Sequence, residues 1–573
     1  MKILLKKVIY VIPTLLFLMV WSSCRNDIDF VKSEGNLTFS KDTVYLDTVF
    51  TNIGSSTYTL KVYNTSERNI LIPKIKLQKG FGSNYRLNVD GMTGDIPLSG
   101  KEFTNVELLA KDSMYIFIET TIDIQQLVTN QNQYLYTDKI VFGENNTQEV
   151  DLVTLVKDAI FIYPQQITSS DGTTQIETLN FDIDGDGTID ETNIQGRFLD
   201  ENELNFSNEK PYVIYGYAGV NNGDVLTIEP GSRIHFHANS GMIISANASV
   251  HSMGMLSDNY ETMENEIIFE GDRLEDSFSN IPGQWQTIWI LNGSTDNKFN
   301  FTTIKNSTIG ILCDGNQYDQ EKLEINNSKI YNSSNFGLLG RGTNIKSENL
   351  VINKCGQSSF AATFGGQYDF IHSTIVNYWT NSFRQFPSLL LNNFSQDSDQ
   401  NIVPNDLNNA NFTNCIIYGN DNPEFLLDNI AEADFNFKFK NCLLLFEDSN
   451  NFYTGPYYDF SNLNFYENIL LNLNPNFLDP YQNKLQISLE SPAAGHGINI
   501  GNSNKIKLLD FIEVIEDIIG KKAIRNYMPM QKGDVYSTLS DSTLLKKITG
   551  YNPKTNYRTG IKRFIDWYLN YYS

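Results

Sequence analysis

Short runs of β-branched and apolar residues return at nearly constant intervals in the middle of this chain. The recurring positions, which are separated by 21, 21 and 24 residues, are Ile309, Ile330, Val351 and Ile375. Repeats of this length are typical of chains that wind into stacked turns, because a single turn cannot bury its own apolar face. The spacing therefore predicts a coil of parallel strands in which residues about two dozen positions apart become vertical neighbours.

An asparagine follows each of the last three recurring positions by two residues, at Asn332, Asn353 and Asn377. Amide side chains at the same bend of successive turns can bond to the amides above and below them. We therefore interpret these asparagines as a structural ladder and not as a reactive array.

The length and charge of the chain restrict its organisation and its partners. A chain of 573 residues exceeds what one core can support and predicts several units. Its formal net charge is -24. Nucleic-acid binding requires clustered lysine and arginine, so no nucleic-acid partner is expected.

The first 24 residues have the organisation of an export signal. Three lysines within the first seven residues precede an apolar run over 8–21, and Ser-Ser-Cys follows, ending at Cys24. The run is shorter than the roughly 20 residues of a membrane span, which argues against a signal anchor. The small residues before Cys24 resemble a bacterial lipobox. This implies a signal peptide over 1–23, acylation of Cys24, and a lipid-anchored protein of the cell outer membrane, surface-exposed or periplasmic.

A tether over 24–36 leads into residues 37–157, where apolar and polar residues alternate, as at 57–63 and 114–120. Turn signals such as Asp90-Gly91 separate the alternating stretches. This pattern predicts a small antiparallel β-sandwich. The region resembles the immunoglobulin-like modules that often precede larger exported domains.

Residues 158–210 form a junction that contains a calcium-loop-like motif. Loop positions 1, 3, 5, 7 and 9 of the motif are Asp182, Asp184, Asp186, Thr188 and Asp190. Gly187 stands at position 6, where calcium loops turn sharply, but Asn193 replaces the usual glutamate of position 12. Two interpretations remain open, a calcium site that braces the junction and a solvated acidic linker. Calcium is the cofactor expected for this chain.

Residues 211–497 are the predicted coil, with a long loop inserted between Ile375 and Ile417 and a last strand at 485–489. The segments PYVIYGY (211–217), RIHFHANSG (233–241), FEGDR (269–273) and PGQW (282–285) resemble a group of Gram-negative surface lipoproteins with right-handed parallel β-helix repeats. The resemblance covers about 180–497. It implies the fold and the location and carries no assigned chemistry.

Four cysteines follow Cys24. The repeat spacing places Cys313 and Cys355 in one column two strands apart, at about 9.6 Å, which is beyond disulfide reach. Cys415 and Cys442 each precede an apolar residue by two positions, which predicts neighbouring turns. They are interpreted either as stacked free thiols or as a bridge formed in an oxidising envelope.

Aromatic and cationic residues cluster at the start of the inserted loop, at Trp379, Phe383, Arg384 and Phe386. One interpretation is a ligand-binding platform that stacks sugars, with Arg384 as an anion clamp. The other is a cap that packs over the coil.

Residues 498–573 change from strand to helical periodicity, which predicts two amphipathic helices. The segments NIGN (499–502), LLDFI (508–512), PMQKGDV (529–535), GYNP (550–553) and FIDWY (564–568) resemble the C-terminal end of UDP-glucuronate 4-epimerases, enzymes of the short-chain dehydrogenase/reductase family. The resemblance implies that Gln531 and Asp534 correspond to residues near the nucleotide of a sugar donor.

The glycine-rich turn that grips a dinucleotide is missing from the chain, so NAD is not expected as a cofactor. A gene fusion or deletion that joined two reading frames is the simplest account of the tail.

Together these patterns predict a mainly β protein: a β-sandwich, a right-handed parallel β-helix and a small α-helical tail. The favoured function is a lipid-anchored envelope protein whose coil binds a polysaccharide or an envelope protein, with no catalytic residue assigned. A polysaccharide lyase or hydrolase of β-helix type is the alternative function. His235 and His237 lie on the same side of one strand and are a further candidate for a metal or proton-transfer site. An NAD-dependent UDP-glucuronate epimerase is implied by the tail alone.

Overall fold

A computed structural model describes residues 29–97, 99–127, 132–168, 172–183, 187–259, 261–315, 321–488, 490–494, 508–525 and 555–572. Cys24, Asp184, Asp186, Gln531 and Asp534 lie outside these ranges. The chain divides into two compact units, Met1–Ala159 with Arg273–Phe278, and Ile160–Asp272 with Ser279–Ser573. In the ranges given above, no helix is both long enough and apolar enough to cross a membrane.

The first unit contains two β-sheets that share one apolar core. The strands of the larger sheet are Val31–Lys32, Thr43–Phe50, Ile70–Leu77, Glu102–Leu108, Gln133–Phe142 and Gln148–Lys157. The strands of the smaller sheet are Leu37–Phe39, Tyr58–Asn64, Tyr85–Val89 and Ser113–Thr120. Alternate residues of these strands are buried, as the sequence pattern predicts.

The expectation that all these strands run antiparallel is wrong for the larger sheet. Gln148–Lys157 pairs in parallel with Thr43–Phe50, and Val31–Lys32 pairs in parallel with Ile70–Leu77. Parallel pairing requires long connections, and the segments between these partners contain the strands of the smaller sheet.

The second unit is a coil whose strands form two parallel sheets, here named the long sheet and the short sheet. The strands of the long sheet are Gly196–Phe198, Asn205–Phe206, Tyr217–Val220, Val225–Ile228, Gly241–Ile244, Ser249–Met253, Ile288–Ile290, Asn297–Asn300, Ile311–Asp314, Leu323–Asn326, Leu338–Glu348, Phe360–Ile371, Leu389–Asn392, Leu407–Thr413, Phe425–Asp428, Phe435–Lys440 and Tyr466–Glu467. The strands of the short sheet are Ile160–Ile162, Tyr212–Ile214, Arg233–Phe236, Ile267–Gly271, Thr302–Lys305, Lys329–Ser333, Val351–Cys355, Thr374–Asn377, Ile416–Gly419, Leu443–Leu444 and Leu470–Leu471.

The described residues also contain three two-stranded antiparallel sheets that do not belong to the parallel sheets. Their strands are Gln166–Thr168 with Thr174–Ile176, Phe394–Gln396 with Ile402–Pro404, and Phe477–Asp479 with Lys484–Ile487.

A vertical column of apolar residues runs through the short sheet. Its paired members, one per turn, are Tyr212, Ile234, Phe269, Ile304, Ile330, Ile352, Ile375, Ile417 and Leu444. All belong to the core cluster that fills the coil. The predicted parallel coil is therefore present, and Ile330 and Ile375 are stacked in it as predicted.

Two of the four recurring positions are placed wrongly by the sequence analysis. Ile352, and not Val351, continues the column, because Val351 pairs with Lys329 one position away. Ile309 lies between strands and packs outside the interior with Phe336. A shift of one residue moves a side chain to the opposite face of a strand, so Val351 does not face the interior column.

The limits of the coil also differ from the prediction. Its sheets begin at Ile160–Ile162 and Gly196–Phe198, before residue 211, because these strands already pair with the next turn. At the other end, Leu470–Leu471 is the last described strand of the short sheet. The strand Lys484–Ile487 forms an antiparallel hairpin instead of the last turn.

The four cysteines among the described residues, Cys313, Cys355, Cys415 and Cys442, are free and buried. Cys313 lies in the long sheet and Cys355 in the short sheet, so the prediction that they share a column is wrong. Cys415 and Cys442 precede the paired residues Ile416 and Leu443 by one position, which places the two thiols on neighbouring turns as predicted.

Asparagine ladders are present, although they run along more columns than the sequence analysis identified. Asn332 donates to Asn306 at 3.2 Å, as predicted for its bend. A second ladder joins Asn441 to Asn414 at 3.0 Å and Asn468 to Asn441 at 3.1 Å. Asn353 and Asn377 bond mainly to backbone and loop groups instead.

The tail contains the two helices that its periodicity predicts, α1 over Leu508–Ile519 and α2 over Tyr557–Tyr572. Val514 of α1 is buried against Ile561 and Ile565 of α2. The residues of this small cluster come from the two helices alone among the described residues.

Candidate functional site

The outer face of the long sheet carries an apolar column of its own. Its residues, which are paired from turn to turn, are Ile243, Trp289, Leu312, Leu339, Ala361, Leu390 and Leu426. These side chains form clusters distinct from the interior core, since successive residues of a strand point to opposite faces. The outer face of the sheet therefore carries an apolar strip, most of whose residues are buried by neighbouring side chains.

A polar column runs beside this strip, two residues further along each strand. Asp314 pairs with Arg341, and Arg341 pairs with Thr363. Asn392 occupies the equivalent position one turn after Thr363, because the residues directly before them, Leu391 and Ala362, are paired. These four residues line a cleft of about 560 Å³ on the outside of the coil.

An ion pair occupies the centre of this cleft. Arg341 donates to Asp314 through Nε, at 2.5 Å from Oδ1, and through Nη2 to Oδ2. Trp289 Nε1 donates to the same carboxylate at 2.8 Å. The Asp314 side chain is 15% exposed and that of Arg341 is 47% exposed. The bonded Asp314 carboxylate raises the pKa of Arg341, so the guanidinium stays charged.

One wall of the cleft is aromatic and is held in an uncommon backbone conformation. Phe364 has a φ of 60°, in the left-handed region that bulky residues rarely adopt. Its amide donates to Asn392 Oδ1 at 2.7 Å, and its carbonyl accepts from Asn405 Nδ2 at 2.7 Å. Phe394 lines the same cleft. Strained residues that their surroundings hold in place are often found at binding sites.

A buried lysine lies under one end of the cleft. Lys322 Nζ donates to the carbonyl of Leu291 at 2.6 Å, and its residue is 4% exposed. A Cβ atom on Gly315 would approach Lys322 Nζ to 2.6 Å, so the ammonium lies directly behind this glycine. Burial lowers the pKa of Lys322.

The described part of the acidic motif borders the same cleft. Ile183 lines the cleft, and Phe181 packs edge-on against Trp289 with ring centroids 5.9 Å apart. The amide of Gly187 donates to Asp182 Oδ2 at 2.9 Å, and that of Ile183 donates to Asp190 Oδ2 at 3.0 Å. The carboxylates of Asp182 and Asp190, at positions 1 and 9 of the motif, thus accept hydrogen bonds from backbone amides.

The calcium prediction itself stays untested. Asp182, Thr188 and Asp190 are described, while Asp184 and Asp186 are outside the described residues. Within the described ranges, no three His, Cys, Asp or Glu side chains are grouped so that they could hold a metal ion.

The predicted ligand-binding loop is largely packed against the protein. Arg384 forms a buried ion pair with Glu424, with Nη2 2.6 Å from Oε1. Trp379 is buried, and Phe386 packs on the outer apolar strip. Phe383 is 90% exposed. The geometry of Trp379, Arg384 and Phe386 fits the alternative of a cap over the coil, and a ligand could reach Phe383 most easily.

The two histidines of the early turn lie on the short sheet with acidic partners. His237 Nδ1 is 2.7 Å from Asp272 Oδ2, and the ring stacks on Tyr215 with centroids 4.3 Å apart. His235 Nδ1 is 3.2 Å from the carbonyl of Gly271. These contacts orient the rings, and the pair is placed by the short sheet, whereas Asp314, Arg341, Thr363 and Asn392 lie on the long sheet.

Sequence reasoning missed the cleft residues Asp314, Arg341, Thr363 and Asn392. They are 27, 22 and 29 positions apart, so they do not stand out as a regular repeat. The register of the long sheet could have identified these four residues. Each of them stands three residues after an interior residue that is paired from turn to turn, namely Ile311, Leu338, Phe360 and Leu389.

Comparisons with known proteins give short matches. No protein-family model matches the chain. Protein CapI of Staphylococcus aureus is 42% identical over 74 residues, which cover 13% of this chain and 22% of CapI. A probable UDP-glucuronate 4-epimerase of Rhizobium meliloti (strain 1021) is 38% identical over 71 residues, which cover 12% of this chain and 21% of that protein. The chain thus spans about a fifth of the length of these curated relatives.

Solved structures give only low similarity. The catalytic unit of a GH87 alpha-1,3-glucanase from Streptomyces thermodiastaticus strain HF3-3 matches with a TM-score of 0.24 and 10% identity, over 67% of this chain and 79% of that chain. A PapD-like domain of human CEP192 matches with a TM-score of 0.14 and 10% identity, over 22% of this chain and 86% of that chain. Similarity at this level carries no argument about function, which has to come from the cleft itself.

Proposed function

We propose that this protein is a lipid-anchored protein of the cell envelope whose right-handed β-helix binds a glycan in the cleft beside Asp314 and Arg341. The observation that carries the proposal is the composition of the cleft. An aromatic wall stands beside amide and hydroxyl groups, around one ion pair. Sugars have both apolar ring faces and many hydroxyl groups, so a site for them needs aromatic surface and hydrogen-bonding side chains together.

The direction of the cleft also supports a chain-like ligand. Asp314, Arg341, Thr363 and Asn392 stand on four successive turns of the coil. Neighbouring strands are about 4.8 Å apart, so these side chains span about 14 Å along the coil. This length suits a short oligosaccharide segment better than a single sugar.

The proposal is one of binding without cleavage. Hydrolysis of a glycosidic bond uses two carboxylates placed on opposite sides of the bond. Asp314 is the only acidic residue among the described residues that line the cleft. Its carboxylate already accepts hydrogen bonds from Arg341 and Trp289, which favours a structural and ligand-orienting role.

A glycan-binding measurement with matched variants tests this function. We expect the purified protein to bind at least one polysaccharide of a panel by isothermal calorimetry, without releasing new reducing or unsaturated ends. Arg341→Ala should weaken binding about tenfold or more, since a hydrogen bond to a charged group contributes about 1.5–3 kcal/mol. Arg86→Ala is the control, because Arg86 pairs with Glu119 on the other unit and is 49% exposed.

Two results would contradict the proposal. The first is equal affinity of Arg341→Ala and the unaltered protein, which would place the ligand elsewhere. The second is the appearance of new chain ends, which would favour the polysaccharide lyase or hydrolase.

We also propose that the loop from Asp182 to Asp190 binds calcium and braces the start of the coil. The spacing of the oxygen-bearing residues Asp182, Thr188 and Asp190 and the hydrogen bond from the amide of Gly187 to Asp182 support this proposal. Calcium at one hundred times its dissociation constant should stabilise the protein by about 2.7 kcal/mol. Asp182→Asn should remove the increase in melting temperature. Asp399→Asn is the control and should keep it, because Asp399 is an exposed residue between the strands Phe394–Gln396 and Ile402–Pro404 and is not part of the motif. An unchanged melting temperature of the unaltered protein with calcium and with chelator would favour the solvated linker.

The lipid anchor, the β-sandwich and the tail complete the proposed organisation of the protein. Cys24 would carry the lipid, residues 37–157 would form an immunoglobulin-like stalk, and the tail would be a relic of an epimerase gene without NAD chemistry. Cys24→Ala is expected to move the protein from the membrane fraction to the soluble fraction of cells. Retention of this variant in the membrane fraction would exclude the lipid anchor.

A further inference from the structure

The charges of the cleft restrict which glycan it can accept. Among the described lining residues, Asp314 and Arg341 are the charged ones, and they bond to each other. The hydrogen-bonding groups around them are neutral: Asn292, Thr363, Asn392 and Gln396. An anionic ligand would therefore find one guanidinium, already engaged by a carboxylate of this protein.

Arg341 cannot turn to a second carboxylate without loss. Two of its nitrogens donate to Asp314, whose side chain is 15% exposed. If an anionic ligand took over this guanidinium, Asp314 would keep only its bond to Trp289 Nε1 among the contacts described above. A half-buried carboxylate that loses its cation is strongly destabilised, and it would also repel the incoming charge.

Lys322 does not supply the missing cation. Its ammonium lies behind Gly315, donates to the Leu291 carbonyl and is buried, so Lys322 is not among the described residues that line the cleft. Burial lowers its pKa, which further reduces its value as an anion partner. The net charge of -24 on the whole chain adds repulsion at longer range.

The uncharged part of the lining suits sugar hydroxyl groups. Amides can donate and accept at once, and the hydroxyl of Thr363 can do the same. Phe364 offers a ring on a backbone that two hydrogen bonds hold in the left-handed conformation, so little backbone freedom is lost when a sugar packs on the ring.

We propose that the cleft binds a neutral oligosaccharide segment, free of carboxylate and sulfate groups, along the column from Asp314 to Asn392. The inference rests on the proposed glycan-binding function and specifies its ligand class. It separates this protein from binders of uronate-containing or sulfated polymers, which need unpaired lysine or arginine along the groove.

A matched panel of polysaccharides tests the ligand class. The panel contains dextran, mannan, galactan and xylan, each beside its carboxymethylated form, together with polygalacturonate, and binding to the full protein is measured by calorimetry. We expect at least one neutral polymer to bind, and its carboxymethylated form to bind at least tenfold more weakly. Tighter binding of the charged forms would overturn the inference and leave the glycan-binding function standing. Absence of binding to every polymer would overturn both.

The salt dependence gives a readout that needs no variant. Ionic interactions are screened beyond about 3 Å in 1 M salt, whereas stacking and neutral hydrogen bonds are affected little. We expect the affinity for the neutral polymer to change less than threefold between low salt and about 1 M NaCl. A tenfold or larger loss over this range would show that charge attraction holds the ligand and would overturn the inference.

Asp314→Asn tests the cause of the selectivity. Removal of the negative charge releases Arg341 and leaves an amide oxygen for Trp289. We expect the ratio of the affinity for the carboxymethylated form to the affinity for the neutral form to rise at least tenfold. Unchanged rejection of the charged form by a correctly folded Asp314→Asn protein would contradict the role given to this pair. Thr363→Lys, which adds a cation without removing the pair, should shift the preference in the same direction.

Discussion

Two arginines of this protein hold carboxylates at very different depths. The side chains of Arg384 and Glu424 are 3% and 0% exposed, and Glu424 also accepts bonds from the amide and hydroxyl of Ser388. Arg86 and Glu119 form a looser pair at the surface, at 3.6 Å. Charges in water are screened and well solvated, so depth decides what the loss of a partner does.

Arg384→Met should therefore destabilise the protein far more than Arg86→Met. We expect a decrease of about 3–5 kcal/mol in the free energy of unfolding for Arg384→Met, since Glu424 is left buried and unpaired. Arg86→Met should change it by about 1 kcal/mol or less. Urea unfolding followed by circular dichroism measures both. A double variant, Arg384→Met with Glu424→Leu, should recover part of the loss, and equal effects of the two single variants would contradict this account.

Glu203 gives a pH dependence with a defined sign. Its carboxylate accepts two bonds from Arg197, both at 2.6 Å, and these lower the pKa of Glu203. A lowered pKa in the folded state stabilises the protein above the unfolded value of about 4.3, and the contribution is lost as the pH falls through the folded value.

The comparison of the unaltered protein with Glu203→Gln isolates this contribution. We expect the difference in melting temperature to be largest above about pH 5 and to disappear as the pH falls well below about 4. Glu201→Gln, in the same turn, removes the same charge from the surface and is the variant with which Glu203→Gln is compared. A difference that grows towards low pH would have the wrong sign.

The asparagine ladder connects the turns of the coil at one bend. Asn441 has a φ of 53°, donates to Asn414 and accepts from Asn468. Asn441 therefore affects stability in two ways, through its left-handed backbone conformation and through its amide hydrogen bonds. Glycine tolerates the left-handed conformation but loses the hydrogen bonds, whereas alanine is strained in that conformation and loses the hydrogen bonds as well.

Asn441→Gly should therefore lower stability less than Asn441→Ala. The left-handed conformation costs alanine about 1–2 kcal/mol, and each hydrogen bond contributes about 0.5–1.5 kcal/mol. Asn451 has the same φ of 53° and lies on an exposed loop, so its alanine and glycine variants report the backbone term alone. Thermal unfolding of the four variants measures both terms. Equal stability of Asn441→Gly and the unaltered protein would show that the ladder contributes nothing.

The sequence was sufficient to predict the coil but not the register of its strands. Ile330 and Ile375 recur because interior positions must be apolar on every turn. Val351 and Ile352 are both apolar neighbours, and the coil has apolar residues on its outer face as well, so composition alone cannot decide which one points inward.

The cleft could not be predicted from the sequence for a related reason. Asp314 and Arg341 meet because their turns are aligned by backbone pairing, although loops of unequal length separate them. Arg384 was chosen from the sequence because it stands among aromatic residues. Its partner Glu424 is 40 positions away, and only the fold brings the two together in the interior. A charge that looks available in a sequence can thus be fully engaged in the structure.

In the whole molecule, the contribution of the tail to the stability of the coil can be tested separately from the other parts. The buried residues of its cluster come from α1 and α2 alone among the described residues, while the coil has a continuous core of its own. The short matches to UDP-glucuronate 4-epimerases, 71 residues in the Rhizobium protein, have about the length of the segment 498–573. We therefore predict that the coil does not depend on the tail for its stability.

A protein that ends at Ala494 tests this prediction. We expect its melting temperature to agree with that of the full chain within about 2 °C, because a loss of 1 kcal/mol would shift a large domain by about 2–4 °C. The glycan affinity should also be unchanged. NAD and UDP-glucuronate should leave the melting temperature of both proteins unaltered, since the match to the Rhizobium protein covers only 21% of that protein and the sequence lacks the dinucleotide-binding turn. Stabilisation by either compound in the full chain, with none in the shortened protein, would show that the tail binds nucleotide sugars after all.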